Sequence, residues 1–253
     1  MPSPLPGLGK RLIFLAILAG TWLVLRQHFL KQPTVEPLAT GVTSAPFQLT
    51  SLPDFLEIGV ANQGLVLDVL AQNDRQWQPR IIMNKQGRQD FTYLKKPGAP
   101  ELSLQDIQDL LRSPQDYSSD VASIKTLLAA LDKFDVTVII AEPNRLGASG
   151  EWNPRRGEMR ISHSVVARGT QAFLRVLNHE AIHTAQSCAG GSIRSFPKPL
   201  GLSRRIDRHA LRHLDGRAYV GLSSIGRRLE EEAYANQDDP EIGALLLKVH
   251  CRS

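Results

Sequence analysis

Three residues near the middle of the chain have side-chain types and a spacing that can do chemistry together: His179, Glu180 and His183. They lie in the stretch Val176-Leu177-Asn178-His179-Glu180-Ala181-Ile182-His183-Thr184-Ala185, an H-E-x-x-H pattern. No proline or glycine interrupts the run from Thr170 to Ser187, and Phe173, Leu174, Leu177, Ala181 and Ile182 recur at helical spacing, so the pattern predicts a helix there. Four residues are slightly more than one turn, which stacks His179 and His183 on one face within reach of a single metal ion. Glu180 stands beside that face. There it can take a proton from water that a metal polarises, without ligating the metal itself. The bland alternative is a pair of histidines that fell four apart on an ordinary helix. The uncharged flanks and the uninterrupted helix count against it.

These ten residues resemble the extended signature of the zincin metallopeptidases. Val176 stands three before the first histidine, Leu177 and Thr184 are uncharged, and Ala185 closes the motif with an apolar residue. The resemblance covers this helix and little beyond it. It implies an α+β, zincin-like domain with a small antiparallel or mixed sheet and an active-site helix. It also implies Zn²⁺ as cofactor, a peptide or protein substrate, and Glu180 as general base. Two histidines leave a catalytic zinc one protein ligand short. One zincin class completes the set with H-E-x-x-H-x-x-G-x-x-H; Gln186 and Ala189 occupy the glycine and last histidine positions here, which excludes it.

The gluzincin class takes a glutamate from a helix downstream, followed by a small residue three later and often Asp or Asn four later. Leu229-Glu230-Glu231-Glu232-Ala233-Tyr234-Ala235-Asn236 is similar to that pattern. Glu232 has Ala235 and Asn236 at those positions, whereas Glu230 has Ala233 and Tyr234. The expected metal ligands are therefore His179, His183 and Glu232, with Glu230 as runner-up and Asn236 as a hydrogen-bond partner for a ligating histidine. A solvated acidic helix face is the ordinary reading of three glutamates in a row. Tyr219, Tyr234, His209 and His213 are candidates for oxyanion stabilisation, and nothing in the sequence selects among them. As a second metal pair, His209 and His213 are disfavoured by the surrounding Arg205, Arg208 and Arg212.

Other elements must hold this helix in place. Short apolar runs between Phe55 and Tyr93, among them Leu65–Leu70 and Arg80–Met83, predict short strands, with a helix as the alternative for Leu65–Leu70. Ser103 can cap a helix to about Arg112, and a second helix over Ser119–Phe134 presents Val121, Ile124, Leu127, Leu128 and Leu131 on one face. Val136–Ile140 is a β-branched run that predicts a buried strand. Gly150–Ser162, with Asn153, Pro154 and Gly157 at its centre, predicts a hairpin. By likeness to zincins, either Met159–Ser162 or the Gly150 side of that hairpin lines the cleft and binds substrate backbone by strand addition. His163 is expected as an exposed histidine at the strand end. The helix should stop at Cys188–Gly191, Phe196–Gly201 continues as loop, and Arg204–Leu214 predicts a basic helix.

Residues 1–30 read as an N-terminal anchor, residues 31–53 as a Pro-rich linker, and residues 54–253 as one catalytic domain. Lys10-Arg11 precede an uncharged run from Leu12 to Leu25. As helix that run spans about 21 Å, short of the roughly 30 Å hydrocarbon core unless it continues through Arg26 and His28 to Leu30. A secretory signal is the competing reading, but no good small-x-small cleavage site follows. The expected location is a single-pass membrane anchor with the domain outside the cytoplasm, a secreted form being the alternative. Flanking charges are nearly balanced and do not fix the orientation.

The formal net charge of +5 arises largely from arginines between Arg194 and Arg228. With no aromatic interleaving or recognised motif, this argues against nucleic-acid binding. Cys188 and Cys251 are the two cysteines, open to either a disulfide or free buried thiols. The functional expectation is a membrane-anchored zinc metallopeptidase. A tethered scaffold without catalysis and a zinc hydrolase of a non-peptide substrate are the alternatives.

Overall fold

A computed structural model describes residues 52–95, 100–216 and 219–252, so the anchor and nearly all of the linker read from the sequence lie outside the described residues. The architecture is mixed α+β with small sheets. Strands β1 (Leu56–Ile58), β4 (Thr137–Ile140), β5 (Gly150–Asn153) and β6 (Glu158–Ile161) form one sheet in the order β1-β4-β6-β5. Pairing is antiparallel for β1–β4 and β5–β6 and parallel for β4–β6. Strands β2 (Arg80–Met83) and β3 (Gln89–Thr92) make a separate hairpin. The helices are α1 (Gln63–Gln76), α2 (Leu104–Arg112), α3 (Ser118–Asp132), α4 (His163–Ala167), α5 (Thr170–Ala189), α6 (Arg208–Leu214), α7 (Ser224–Asn236) and α8 (Ile242–His250). Among the described residues no helix is long and apolar enough to cross a membrane.

The organising element is α5, which carries the H-E-x-x-H residues and runs two residues past the predicted end. Phe173, Leu177, Ala181, Ile182 and Ala185 of its core face are fully buried, with Leu127 and Leu131 of α3, Ile140 and Ile161 of the sheet, and Leu247 of α8 in the same core. Burying one such large side chain contributes roughly 1.5–3 kcal/mol, so packing decides the stability of this helix more than intrinsic propensity. Its start is fixed from outside. The buried Asp74 on α1 accepts from Thr170 N at 3.0 Å and from Thr170 Oγ1, supplying the cap that Gly169 lacks. Its middle is tied to the C-terminal helix: Asn178 Oδ1 accepts from Gly243 N at 2.8 Å while Nδ2 donates to Gln237 O and Asp239 O. Its last turn is joined to the C-terminus by a disulfide between Cys188 and Cys251, which settles the question left open by the sequence.

Several local expectations hold for the reasons given. Ser103 and Asp106 form a reciprocal capping box at the start of α2. The predicted hairpin is β5–β6, closed by Gly157 at φ +66, with Gly157 N donating to Asn153 O. Others need correction. Residues 65–70 are helical, within α1: Val66, Val69 and Leu70 point into the core at helical spacing, and an apolar run this short does not itself distinguish helix from strand. The basic helix begins only at Arg208, where Asp207 caps it through Ala210 N. His163 opens α4, half-exposed, with Nε2 3.0 Å from Pro53 O.

Candidate metal centre

On α5, His179 and His183 point towards α7 and Glu180 lies against Gly150 of β5, and all three are largely shielded from solvent. Glu230, on the facing side of α7, completes a cluster able to hold a metal ion. His179 Nε2 and His183 Nε2 are 3.1 Å apart, and each lies 3.3 Å from Glu230 Oε2. A tetrahedral site with bonds of about 2.0–2.1 Å has edges of about 3.3 Å, so this triangle already has the size of one tetrahedral face.

The hydrogen bonds behind the histidines explain why those nitrogens face one another. Gln186 Nε2 donates to Leu229 O at 3.1 Å and to Glu232 Oε2 at 3.1 Å, both acceptors only. That fixes its amide, so Gln186 Oε1 is the atom 2.8 Å from His183 Nδ1, and Nδ1 must carry the hydrogen. The Nε2 lone pair of His183 is therefore aimed at the centre of the triangle. His179 Nδ1 lies 3.0 Å from Gln237 Oε1 and, donating to it, leaves its own Nε2 facing the triangle. Two imidazole lone pairs and a carboxylate oxygen at such separations call for a cation among them.

The charges agree. Burial alone would lower the His183 pKa, but the Glu230 carboxylate beside it wins and pushes it up to about 9. Burial likewise tends to raise Glu230, and the charges and hydrogen bonds of His183 and His179 outweigh it, holding the carboxyl well below its usual range. Arg145 Nη1 lies 3.5 Å from the other Glu230 oxygen and so helps keep that side chain ionised and oriented. Glu180 differs: burial raises its pKa, partly offset by the two histidines.

Glu232, the first choice for third ligand, does not join the cluster. Its Oε1 accepts from Gly201 N at 2.8 Å, and its Oε2 accepts from Leu200 N at 2.8 Å and from Gln186. It is buried, at 1% exposure, as the anchor of the 196–201 loop and the support of Gln186. Asn236 is also not a partner of a ligating histidine; its amide donates to Ser203 O and to Glu232 O. The runner-up Glu230 is the residue brought to the histidines. The position that excluded one zincin class, Gln186, turns out to orient His183. Gln237 went unrecognised, although its spacing of seven from Glu230 puts both on one face of α7 and its cap.

Two cavities, about 250 and 430 Å³, meet at His179, Glu180, Gly150 and Tyr219. The Gly150 side of the hairpin is the side that reaches the site. A Cβ at Gly150 would stand 2.6 Å from Glu180 Oε1 and 2.7 Å from Val176 Cγ1, so only glycine lets β5 approach this closely. Strand β5 is an edge strand. Ser162 N donates to Ser149 O and Ala141 N to Ile161 O, so by alternation the backbone groups of Gly150 and Trp152 face the open edge. Of the oxyanion candidates, Tyr219 lines both cavities, and its hydroxyl is 2.8 Å from that of Tyr234, whose ring meets His179 edge-on at 4.7 Å between centroids. Burial raises the pKa of both phenols, which keeps them protonated. His213 lines the larger cavity; the side chain of His209 is outside the described residues. Compared with family models, with curated proteins and with solved structures, the chain matches none.

Proposed function

We propose that this protein is a zinc-dependent metallopeptidase with a gluzincin-like site, tethered to a membrane by its N-terminal segment and working outside the cytoplasm. The observation that carries the reading is the convergence of His179 Nε2, His183 Nε2 and Glu230 Oε2 on one point, with Glu180 adjacent and an edge strand alongside. The disulfide supports an oxidising compartment. Two imidazoles and one carboxylate are a donor set that suits catalytic zinc, which when bound supplies the Lewis acidity for water activation and carbonyl polarisation.

The chain's own residues do the rest. Glu180 takes a proton from the attacking water and passes it to the departing amine nitrogen; its upward pKa shift moves it towards the range where a carboxyl group can do both. Tyr219, oriented by Tyr234, donates its hydroxyl hydrogen to the carbonyl oxygen as that oxygen gains charge. The outward backbone groups of Gly150 and Trp152 hold an extended peptide by strand addition, and Phe196 and Trp152 give the smaller cavity apolar walls.

The test is cleavage of a mixed peptide pool read by mass spectrometry, comparing the zinc-loaded protein with its Glu180→Gln variant. The reading expects cleavage by the wild type and a loss of about 10²–10⁴-fold in the variant at unchanged zinc content. Equal cleavage by both, or none by the zinc-loaded wild type, would count against it.

A further inference from the structure

The two cavities that meet at Glu180 are chemically unlike. The smaller has apolar side chains from Phe196, Pro197, Leu222 and Leu229. The larger opens past Ser149, at the start of β5, and carries Arg168, Arg175, Arg205 and Arg212 against Asp207 and Asp238. Arg175 is already matched with Asp238 at 2.6 Å, and Asp207 caps α6. Arg168, Arg205 and Arg212 have no carboxylate within ion-pair distance among the described residues.

Arg168 stands out among them. It is half-buried between α4 and α5, its Nε is buried with no hydrogen-bond partner, and among the described residues its hydrogen bond is from Nη2 to Ser149 Oγ at 3.4 Å. Burial and the neighbouring Arg175 charge both disfavour its guanidinium, as its lowered pKa records. A half-buried cation that its own fold leaves uncompensated, beside the strand expected to hold substrate, is poised for an anion brought by that substrate.

Resting on the peptidase reading, the geometry points to a second specificity element: Arg168, backed by Arg205 and Arg212, forms a subsite for an acidic side chain on one side of the scissile bond. The opposite side takes apolar residues in the smaller cavity. The favoured substrate is thus an acidic peptide whose charge lies on the Ser149 side of the cleft.

Binding without turnover tests this separately from hydrolysis. The full chain carrying Glu180→Gln is loaded with zinc and titrated with labelled alanine-rich peptides that differ only in one Glu, Gln or Lys, moved stepwise along the peptide. The expected result is about tenfold tighter binding of Glu than Gln at one position, lost in Arg168→Gln and reversed towards Lys in Arg168→Glu. The exposed pair changed together, Arg205→Gln with Arg212→Gln, should lower the preference about two- to threefold. It carries the test if the Arg168 variants do not fold. Equal binding of Glu and Gln at every position, an unchanged preference in Arg168→Gln, or an unchanged preference in the double variant when the Arg168 variants do not fold overturns the subsite. Arg168-dependent acidic preference in a protein whose wild type cleaves no peptide would keep the subsite and sink the peptidase reading. Cleavage without preference would do the reverse, and no peptide binding at all would overturn both.

Discussion

Replacing Gly150 with alanine probes the closest approach of the site. The added Cβ would stand 2.6 Å from Glu180 Oε1, against 3.4 Å for an ordinary contact, and 2.7 Å from Val176 Cγ1. Something must therefore move by about 0.8 Å, since a contact compressed that far is strongly repulsive. Val176 lies one turn before Glu180 on the same helix, and α5 is locked by Asp74 at its start and Asn178 in its middle. The strain is thus relieved by pushing the Glu180 carboxylate aside and β5 outwards. Overpacking of this kind costs about 1–3 kcal/mol of stability. The catalytic cost is larger, because displacing a reacting group by about 1 Å can lower the rate about 10²-fold. The metal ligands are not touched, so zinc content should stay at wild-type level. The assay is peptide hydrolysis with zinc content and thermal unfolding measured on the same sample. A folded, zinc-loaded Gly150→Ala protein that cleaves at the wild-type rate would refute the placement of β5 against Glu180.

Glu232→Ala removes the acceptor for Leu200 N, Gly201 N and Gln186 Nε2; Gly201 is exposed and Leu200 half-buried, so water can reach those amides, and denaturant unfolding should show a loss of about 1–3 kcal/mol, set mainly by the buried Gln186. Saturating zinc should still load one ion per chain in that variant. Gln186→Leu keeps the bulk but frees the His183 ring, and competition titration with a chelator should find zinc affinity lower by about 10–100-fold. The Cys188–Cys251 bridge closes a separation of 63 residues, for which chain entropy gives about 4 kcal/mol. Unfolding of the Cys188→Ala/Cys251→Ala double variant should show that loss, and an unchanged midpoint would argue against the bridge as a brace of α5.

What the sequence revealed and what it hid follow from the range of the interactions. The α5 helix, the helix cap at Ser103 and the β5–β6 turn are written in neighbouring residues, and each was legible. The choice between Glu230 and Glu232 was not, because it depends on how α7 is rotated against α5. That rotation is set by distant groups: the 196–201 loop claims Glu232, and Arg145 meets Glu230. A small residue three positions on favoured Glu232 equally well as a buried loop anchor, so the local pattern carried no information on its partner. Asp74 capping α5 across 96 residues of chain, and Gln237 holding His179, are likewise products of packing. Leu65–Leu70 was ambiguous because a six-residue apolar run satisfies both periods.

His179, His183 and Glu230 could together hold a metal ion, which the proposed function takes to be zinc. Zinc content per chain, measured on folded, dialysed wild type, His179→Ala, Glu230→Ala and Glu232→Ala proteins, tests it most directly. One zinc is expected in the wild type and in Glu232→Ala, and none in His179→Ala or Glu230→Ala. Zinc retained in Glu230→Ala but lost from folded Glu232→Ala, or a folded wild type that takes up no zinc, would contradict it.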